Sequence, residues 1–273
     1  MAEISFSTYD REFFVARKLA KDAGILIMNY FQKNLNSRFK EDNTFVTDAD
    51  IISNKIIVNG IKKEFPNDGI VSEESENVEG KRVWYIDPLD GTNSFIDGKN
   101  DFTIHIGLCE NNSPVLGIVF APANGDFYYA IKNYGAFKEN SYGKIIRLIT
   151  SKNDSELIAV KDLHNNVSDK FLKCTKILGV KDFLMIGCTG LRIMRLVENS
   201  ADLFIPHSNK LKSWDLCAPQ IILEEAGGVI LHIDGSKIFY DCSIKLSPLI
   251  IGVRNKEHFQ SCQQKLLSSF ENI

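Results

Sequence analysis

Four short apolar runs between residues 83 and 130 constrain this chain most: Val83–Ile86, Phe102–Cys109, Val115–Ala121 and Asp126–Ala130. Turn-forming stretches, Asn111–Pro114 and Ala123–Gly125, separate the last three. Runs of this length with such short connections predict an antiparallel meander. Before it, Phe13, Ala16, Leu19, Ala20, Ala23, Leu26, Met28 and Phe31 recur at helical spacing, predicting a helix over 9–33 with Ser7 and Thr8 available as caps. A second helix is expected over 48–64 from Ile51, Ile52, Ile56, Ile57 and Ile61, and Pro66 ends it.

After residue 150 the pattern alternates. Strands are expected at Leu157–Val160, Phe183–Ile186, Asp202–Ile205, Val229–Ile233 and Leu249–Val253, and helices over 166–177, 188–199, 215–226 and 255–269. The fold class is therefore α+β over 1–150 followed by α/β over 151–273, with both halves in one compact unit.

Composition narrows the function. An apolar fraction of 44% and a charged fraction of 25% fit an ordinary soluble globular protein. A net charge of −3 supplies no basic field for a nucleic-acid polymer. The six cysteines show no CxxC spacing and read as reduced core thiols rather than a zinc site. No apolar run approaches the ~20 residues that span a bilayer, and the opening MAEISFSTYDREFF has no leader pattern. A cytoplasmic protein without membrane partners is expected.

Four acidic stretches break the apolar pattern: VTDAD (Val46–Asp50), SEES (Ser72–Ser75), DPLDGT (Asp87–Thr92) and the pair Trp214–Asp215. Ionised carboxylates beside a core are costly unless something balances them. A hard cation held by oxygen ligands would do so, and Mg²⁺ suits such a site. In DPLDGT, Pro88 sets a bend that can aim Asp87, the Leu89 carbonyl and Asp90 into one volume, and Gly91 permits close backbone approach. A helix opening at residues 91–93 would point free N–H groups at an anion. Taken singly, DxxD reads as a solvated turn, SEES as a cap or acidic turn, and Asp215 as the N-cap of a helix.

Together, VTDAD, the two glutamates of SEES, DPLDGT and WDLCAPQIILEEAGG (Trp214–Gly228) resemble the inositol monophosphatase-like superfamily of Mg²⁺-dependent, lithium-sensitive phosphatases, over residues 10–255. The resemblance implies a five-layer αβαβα sugar-phosphatase fold. It implies that Glu73, Asp87 and the Leu89 carbonyl hold one Mg²⁺, that Asp87, Asp90 and Asp215 hold a second, and that a third, weaker ion sits near Asp50 and Glu73. Asp50 and Thr92 would orient the attacking water, and the amides of Gly91 and Thr92 would receive the phosphate. On this basis Asp90→Asn is expected to remove a metal ligand and leave the fold intact. Many members are dimers, so the resemblance admits a homodimer.

Within the superfamily, KEDNTFVTDAD (Lys40–Asp50, with Phe45 where a proline is usual), DPLDGTNSFIDGKNDFTIHIGL (Asp87–Leu108) and PVLGIVFAPANGDFYYA (Pro114–Ala130) are similar to the CysQ-type 3′(2′),5′-bisphosphate nucleotidases. Arg192 falls where that branch tends to carry a cation, which would bind a second phosphate; the alternative is a solvated helix residue. Lys210 and Lys212 are further candidates for that pocket. The stretch HSNKLKSWD lacks the acid that inositol monophosphatases present before the tryptophan. The expected reaction is conversion of 3′-phosphoadenosine 5′-phosphate to AMP and phosphate. Inositol-1-monophosphatase, or another small phosphate-ester phosphatase, is the alternative, and a non-catalytic metal-binding regulator is a remote one. His105 reads as packed or solvated, His207 as solvated, and the order of residues shows no Ser-His-Asp arrangement, P-loop or Rossmann fingerprint.

Overall fold

The computed structural model describes residues 8–32, 37–39, 45–152, 156–164, 167–206, 211–244, 246 and 250–270. Helix α1 (Asp10–Tyr30), a ribbon of β1 (Ser37–Phe39) and β2 (Phe45–Thr47), and α2 (Asp48–Glu64) come first. Then follow β3 (Gly69–Ser72), β4 (Ser75–Val78), β5 (Arg82–Asp90), the short α3 (Thr92–Ile96), β6 (Thr103–Glu110), β7 (Ser113–Ala121), β8 (Asp126–Ile131), β9 (Gly135–Glu139) and β10 (Ile145–Leu148). The remainder runs β11 (Ile158–Asp162), α4 (Asp169–Leu178), β12 (Asp182–Ile186), α5 (Thr189–Val197), β13 (Leu203–Phe204), α6 (Ser213–Ala226), β14 (Val229–His232), β15 (Ile250–Val253) and α7 (Lys256–Phe270).

The expected meander is present and longer than predicted. It runs antiparallel from β5 to β10 inside an eight-stranded sheet ordered β10-β9-β8-β7-β6-β5-β3-β4, where β3 and β5 form the parallel pair. A five-stranded mixed sheet, β12-β11-β13-β15-β14, forms from the later strands.

Side-chain alternation on β5 explains the layering. Trp84 and Ile86 point to one face, into a core shared with Phe13, Ala16 and Ala20 of α1 and Ile57 and Ile61 of α2. Val83 and Tyr85 point to the other, into a core with Leu191 and Met194 of α5 and Cys217, Ala218 and Ile221 of α6. Val160, Phe204 and Ile230 of the second sheet close that core from beyond. Ala159, Leu203 and Ile251 face outward onto Phe171 and Cys174 of α4 and Phe259 and Leu266 of α7. The order α1/α2, sheet, α5/α6, sheet, α4/α7 is the αβαβα arrangement.

Two local readings are corrected. The N-cap of α1 is Tyr9, without a side-chain cap bond; Thr8 does not fill that position, and Ser7 lies outside the described residues. Asp215 is the third residue of α6 rather than its N-cap: the helix starts at Ser213, and Asp215 Oδ2 accepts the Lys212 amide at 2.7 Å. All six cysteines are free thiols; five are buried and Cys242 is half-buried.

α6 lies almost on the backbone of β7. A Cβ at Gly117 would come within 2.6 Å of the Ala218 carbonyl oxygen and 3.0 Å of its Cα. Strand propensity favours Val over Gly by up to ~1 kcal/mol. Backbone contact reverses that sign, so Gly117→Val is expected to lose roughly 1–3 kcal/mol by overpacking, read as a lower urea midpoint with an unchanged slope.

Candidate active site

The floor of the site is the end of β5. Asp87 pairs with His105 and Asp90 with Thr103, so three steps on β5 oppose two on β6 and the strand bulges. Pro88 accounts for the bulge, since it has no N–H to give the ladder. Its carbonyl instead accepts the Ser53 hydroxyl of α2 at 2.8 Å, and the Leu89 amide donates to Asp87 Oδ1 at 3.0 Å. Gly91 then turns at φ +93°, where a side chain would strike Cys188 Cβ at 2.7 Å and the Asp101 carbonyl at 2.9 Å. Only glycine fits there.

Two turns bring the other acids to this floor. The Glu73 amide donates to the Ile86 carbonyl at 3.3 Å, setting the β3–β4 turn beside Asp87. Asn54 of α2 holds that turn through the Glu74 carbonyl and the Ser72 hydroxyl. Asp50 completes the α2 capping box by accepting the Thr47 amide at 2.8 Å, and its other oxygen accepts the Thr92 hydroxyl at 3.2 Å. The same hydroxyl lies 3.2 Å from the Leu89 carbonyl. Asp50 and Thr92, expected to act together, are therefore in contact.

Asp90 behaves differently from the other acids. Its Oδ1 accepts the Thr189 amide at 3.1 Å, and its Oδ2 accepts the Gly190 amide at 2.6 Å and the Thr103 hydroxyl at 3.1 Å. His105 Nε2 stands 3.2 Å from Oδ2 and 2.9 Å from Thr103 Oγ1. Asp90 thus serves as the acidic acceptor for the first amides of α5. Asp90→Asn, expected to leave the fold intact, would therefore also reach a contact that joins β5 to α5.

The electrostatics divide the same way. Burial pushes the Asp87 carboxyl well above its usual range, and the charges that weigh most on it are the carboxylates of Glu73, Asp90 and Asp215. Burial, with the Asp90 charge, raises Asp215 to about 7. Asp50 also rises to about 7, through burial and then the Glu73 and Glu74 charges, against the pull of its Thr47 bonds. For Asp90 burial is outweighed by His105, the Gly190 amide and Arg192, which hold it below its usual value.

Mutually repelling carboxylates with oxygen-only donors fit a hard divalent cation in chemistry. Among the described residues, no three His, Cys, Asp or Glu side chains stand together as a ready-made cage. Asp90 and Asp215 each spend oxygens on helix amides. Among the described residues, Asp90 Oδ1 carries a single amide bond, which leaves a lone pair for another partner.

The candidate substrate cations fare unequally. Arg192 is 7% exposed, which overturns the solvated alternative. Its Nη2 donates to Thr189 Oγ1 at 2.8 Å and lies 3.4 Å from Asp162 Oδ2, and its Nε donates to the Cys188 carbonyl. Lys212 is half-buried at the start of α6; Lys210 and His207 lie outside the described residues.

Sequence order concealed two further groupings. His105 is fully buried against Asp90, with no hydrogen-bond partner for its Nδ1 among the described residues. Ser94 Oγ sits 2.6 Å from His164 Nε2, and Asp97 lies 3.6 Å from His164 Nδ1. Ser94 is fully buried and Asp97 is beyond hydrogen-bond distance, so this is a fixed imidazole and not a nucleophilic triad. The first grouping joins the neighbouring strands β5 and β6, and the second joins α3 to the segment after β11, so neither lies within one local stretch of sequence.

The sequence profile of the inositol monophosphatase family matches residues 9–267. A 3′(2′),5′-bisphosphate nucleotidase CysQ from Buchnera aphidicola is 32% identical over 241 residues, covering 84% of this chain and 88% of the relative. A fructose-1,6-bisphosphatase/inositol-1-monophosphatase from Thermotoga maritima is 29% identical over 221 residues, covering 81% of this chain and 84% of the relative. The solved Thermotoga maritima IMPase superposes with a TM-score of 0.78 at 27% identity, covering 96% of this chain and 98% of that one. Among the described residues no helix is long and apolar enough to cross a membrane.

Proposed function

The chain belongs to the inositol monophosphatase family and is a phosphatase, and from that premise we propose that it is a Mg²⁺-dependent 3′(2′),5′-bisphosphate nucleotidase, converting 3′-phosphoadenosine 5′-phosphate to AMP and phosphate. Metal dependence is a feature of the family, and the named relatives act on small phosphorylated substrates. Glu73, Asp87 and the Leu89 carbonyl would hold one ion; Asp87, Asp90 and Asp215 would hold a second; Asp50 and Glu73 would border a third. Bound Mg²⁺ supplies Lewis-acid polarisation of the phosphate and acidifies water.

The protein's own groups do the rest. The Asp50–Thr92 contact would orient the attacking water and receive its proton. The bend at Gly91 would bring the Gly91 and Thr92 amides to the phosphate. Water attacks phosphorus, the P–O bond to the ester oxygen breaks, and the products are an alcohol and inorganic phosphate. No covalent enzyme intermediate forms.

Arg192 carries the nucleotide reading: a buried guanidinium in the first turn of α5, next to the amides that hold Asp90. It would receive the phosphate that is not cleaved, with Lys210 and Lys212 as further candidates. Asp162, 3.4 Å from Arg192, favours the second reading of an inositol-1-monophosphatase, because it already offsets that charge. A side-by-side kinetic panel of 3′-phosphoadenosine 5′-phosphate, inositol 1-phosphate, fructose 1,6-bisphosphate and histidinol phosphate separates them. The highest kcat/KM is expected for the first; a higher value for inositol 1-phosphate would replace the nucleotide reading. A non-catalytic metal-binding regulator would hydrolyse none of the four.

A further inference from the structure

β11 and β12 run parallel, with Asp162 in register with Ile186, so both strands end at one edge. Ligands of parallel strands gather at such C-terminal edges. From the end of β12 the chain passes through Gly187 and Cys188 into α5, whose first amides hold Asp90. Asp162 is the last residue of β11 and is 6% exposed. Its Oδ1 accepts the His164 amide at 2.8 Å, and its Oδ2 faces Arg192 Nη2 at 3.4 Å. His164 in turn holds Ser94, two residues beyond Thr92 in α3. Asp162 is thus fixed between the strand edge and the buried guanidinium of Arg192.

A cation that grips the uncleaved phosphate grips substrate and product equally. Such uniform binding lowers KM without raising kcat, and it slows product release. An internal carboxylate already facing the guanidinium reduces that grip, since it offsets part of the positive charge the phosphate would meet.

We propose that Asp162 is a specificity-determining residue, an internal counter-ion that competes with the second phosphate of a nucleoside bisphosphate for Arg192. It rests on the nucleotide reading of this site. It sets how strongly the pocket prefers two phosphates over one, and how readily the nucleoside monophosphate product leaves.

The test is product inhibition by 5′-AMP, with the KM for 3′-phosphoadenosine 5′-phosphate alongside and the KM for inositol 1-phosphate as reference. Asp162→Asn removes the charge and keeps an oxygen for the His164 amide. It is expected to lower the 5′-AMP inhibition constant about tenfold relative to the inositol 1-phosphate KM, the factor that ~1.4 kcal/mol of charge competition corresponds to. The gain should vanish when Arg192→Gln is added. Asp162→Ser is the second neutral variant, for use if the Asn protein does not show a cooperative melt. An unchanged inhibition constant in a folded neutral variant, or a gain that persists in the double variant, overturns the proposal. Failure of the nucleotide reading is seen separately: the wild-type protein would hydrolyse inositol 1-phosphate and not the bisphosphate.

Discussion

Asp87→Asn is expected to cut phosphate release by at least ~10²-fold, since even groups outside the first coordination sphere of a metal are worth about 10–100-fold. The same substitution is expected to raise the melting temperature of the protein in chelator. Asp87 is 1% exposed, burial pushes its carboxyl well above the ordinary value, and Glu73, Asp90 and Asp215 push it further. The folded state therefore binds a proton that the unfolded chain has already released. Between the ordinary carboxylate value of 3.8 and the raised one, stability falls as pH rises. Asp50 and Asp215, each raised from 3.8 to about 7, act in the same direction. Metal-free wild-type protein should thus lose stability from about pH 4 to about pH 7, and Asp87→Asn should flatten that fall. At roughly 2–4 °C per kcal/mol for a chain of this size, a melting scan across pH resolves it. A metal-free Asp87→Asn protein that melts below wild type at pH 7 would contradict the electrostatic picture.

Asp90→Ala should move stability the other way. Its carboxylate accepts the Thr189 and Gly190 amides and the Thr103 hydroxyl, with His105 beside it. Truncation strands buried donors, at about 1–3 kcal/mol each. Because Asp90 is held below its ordinary value, its contribution is fully present above the unfolded pKa and is lost as pH falls through the folded one. The expected result is an inactive protein with a lower melting temperature, the deficit shrinking toward acid pH. Asp90→Asn should lose less stability than Asp90→Ala, because an amide oxygen still accepts one of the helix donors. If Asp90→Ala melts like wild type in chelator, the α5 contact is not stabilising. The two neighbouring acids of one motif are therefore distinguished by the sign of their effect on stability.

The contrast shows what the sequence could reveal. The helix over 48–64 and the strands of the meander were legible because apolar period and turn residues agree there. β9 and β10 were missed: Gly135–Glu139 and Ile145–Leu148 are too short and too mixed in polarity to stand out. The carboxylate set was legible as motifs, since VTDAD, SEES, DPLDGT and Trp214–Asp215 each break an apolar pattern. What those acids bond to was not. Thr189 meets Asp90 across 99 residues, and no local rule carries that contact. Arg192 shows the same limit: its place on an amphipathic helix suits a solvated position, yet α5 is enclosed between two sheets and the guanidinium is buried. Burial of a charged residue depends on the layer its helix occupies, which only the assembled fold decides.

Metal-dependent catalysis at Asp87 is tested by phosphate release from 3′-phosphoadenosine 5′-phosphate as a function of Mg²⁺, for wild type and Asp87→Asn in parallel. No release is expected in chelator, with saturable release from the wild type as Mg²⁺ rises to millimolar levels and at least ~10²-fold less from the variant. Release from wild type that ignores Mg²⁺, or equal rates from the two proteins, would contradict a metal-ligand role for Asp87.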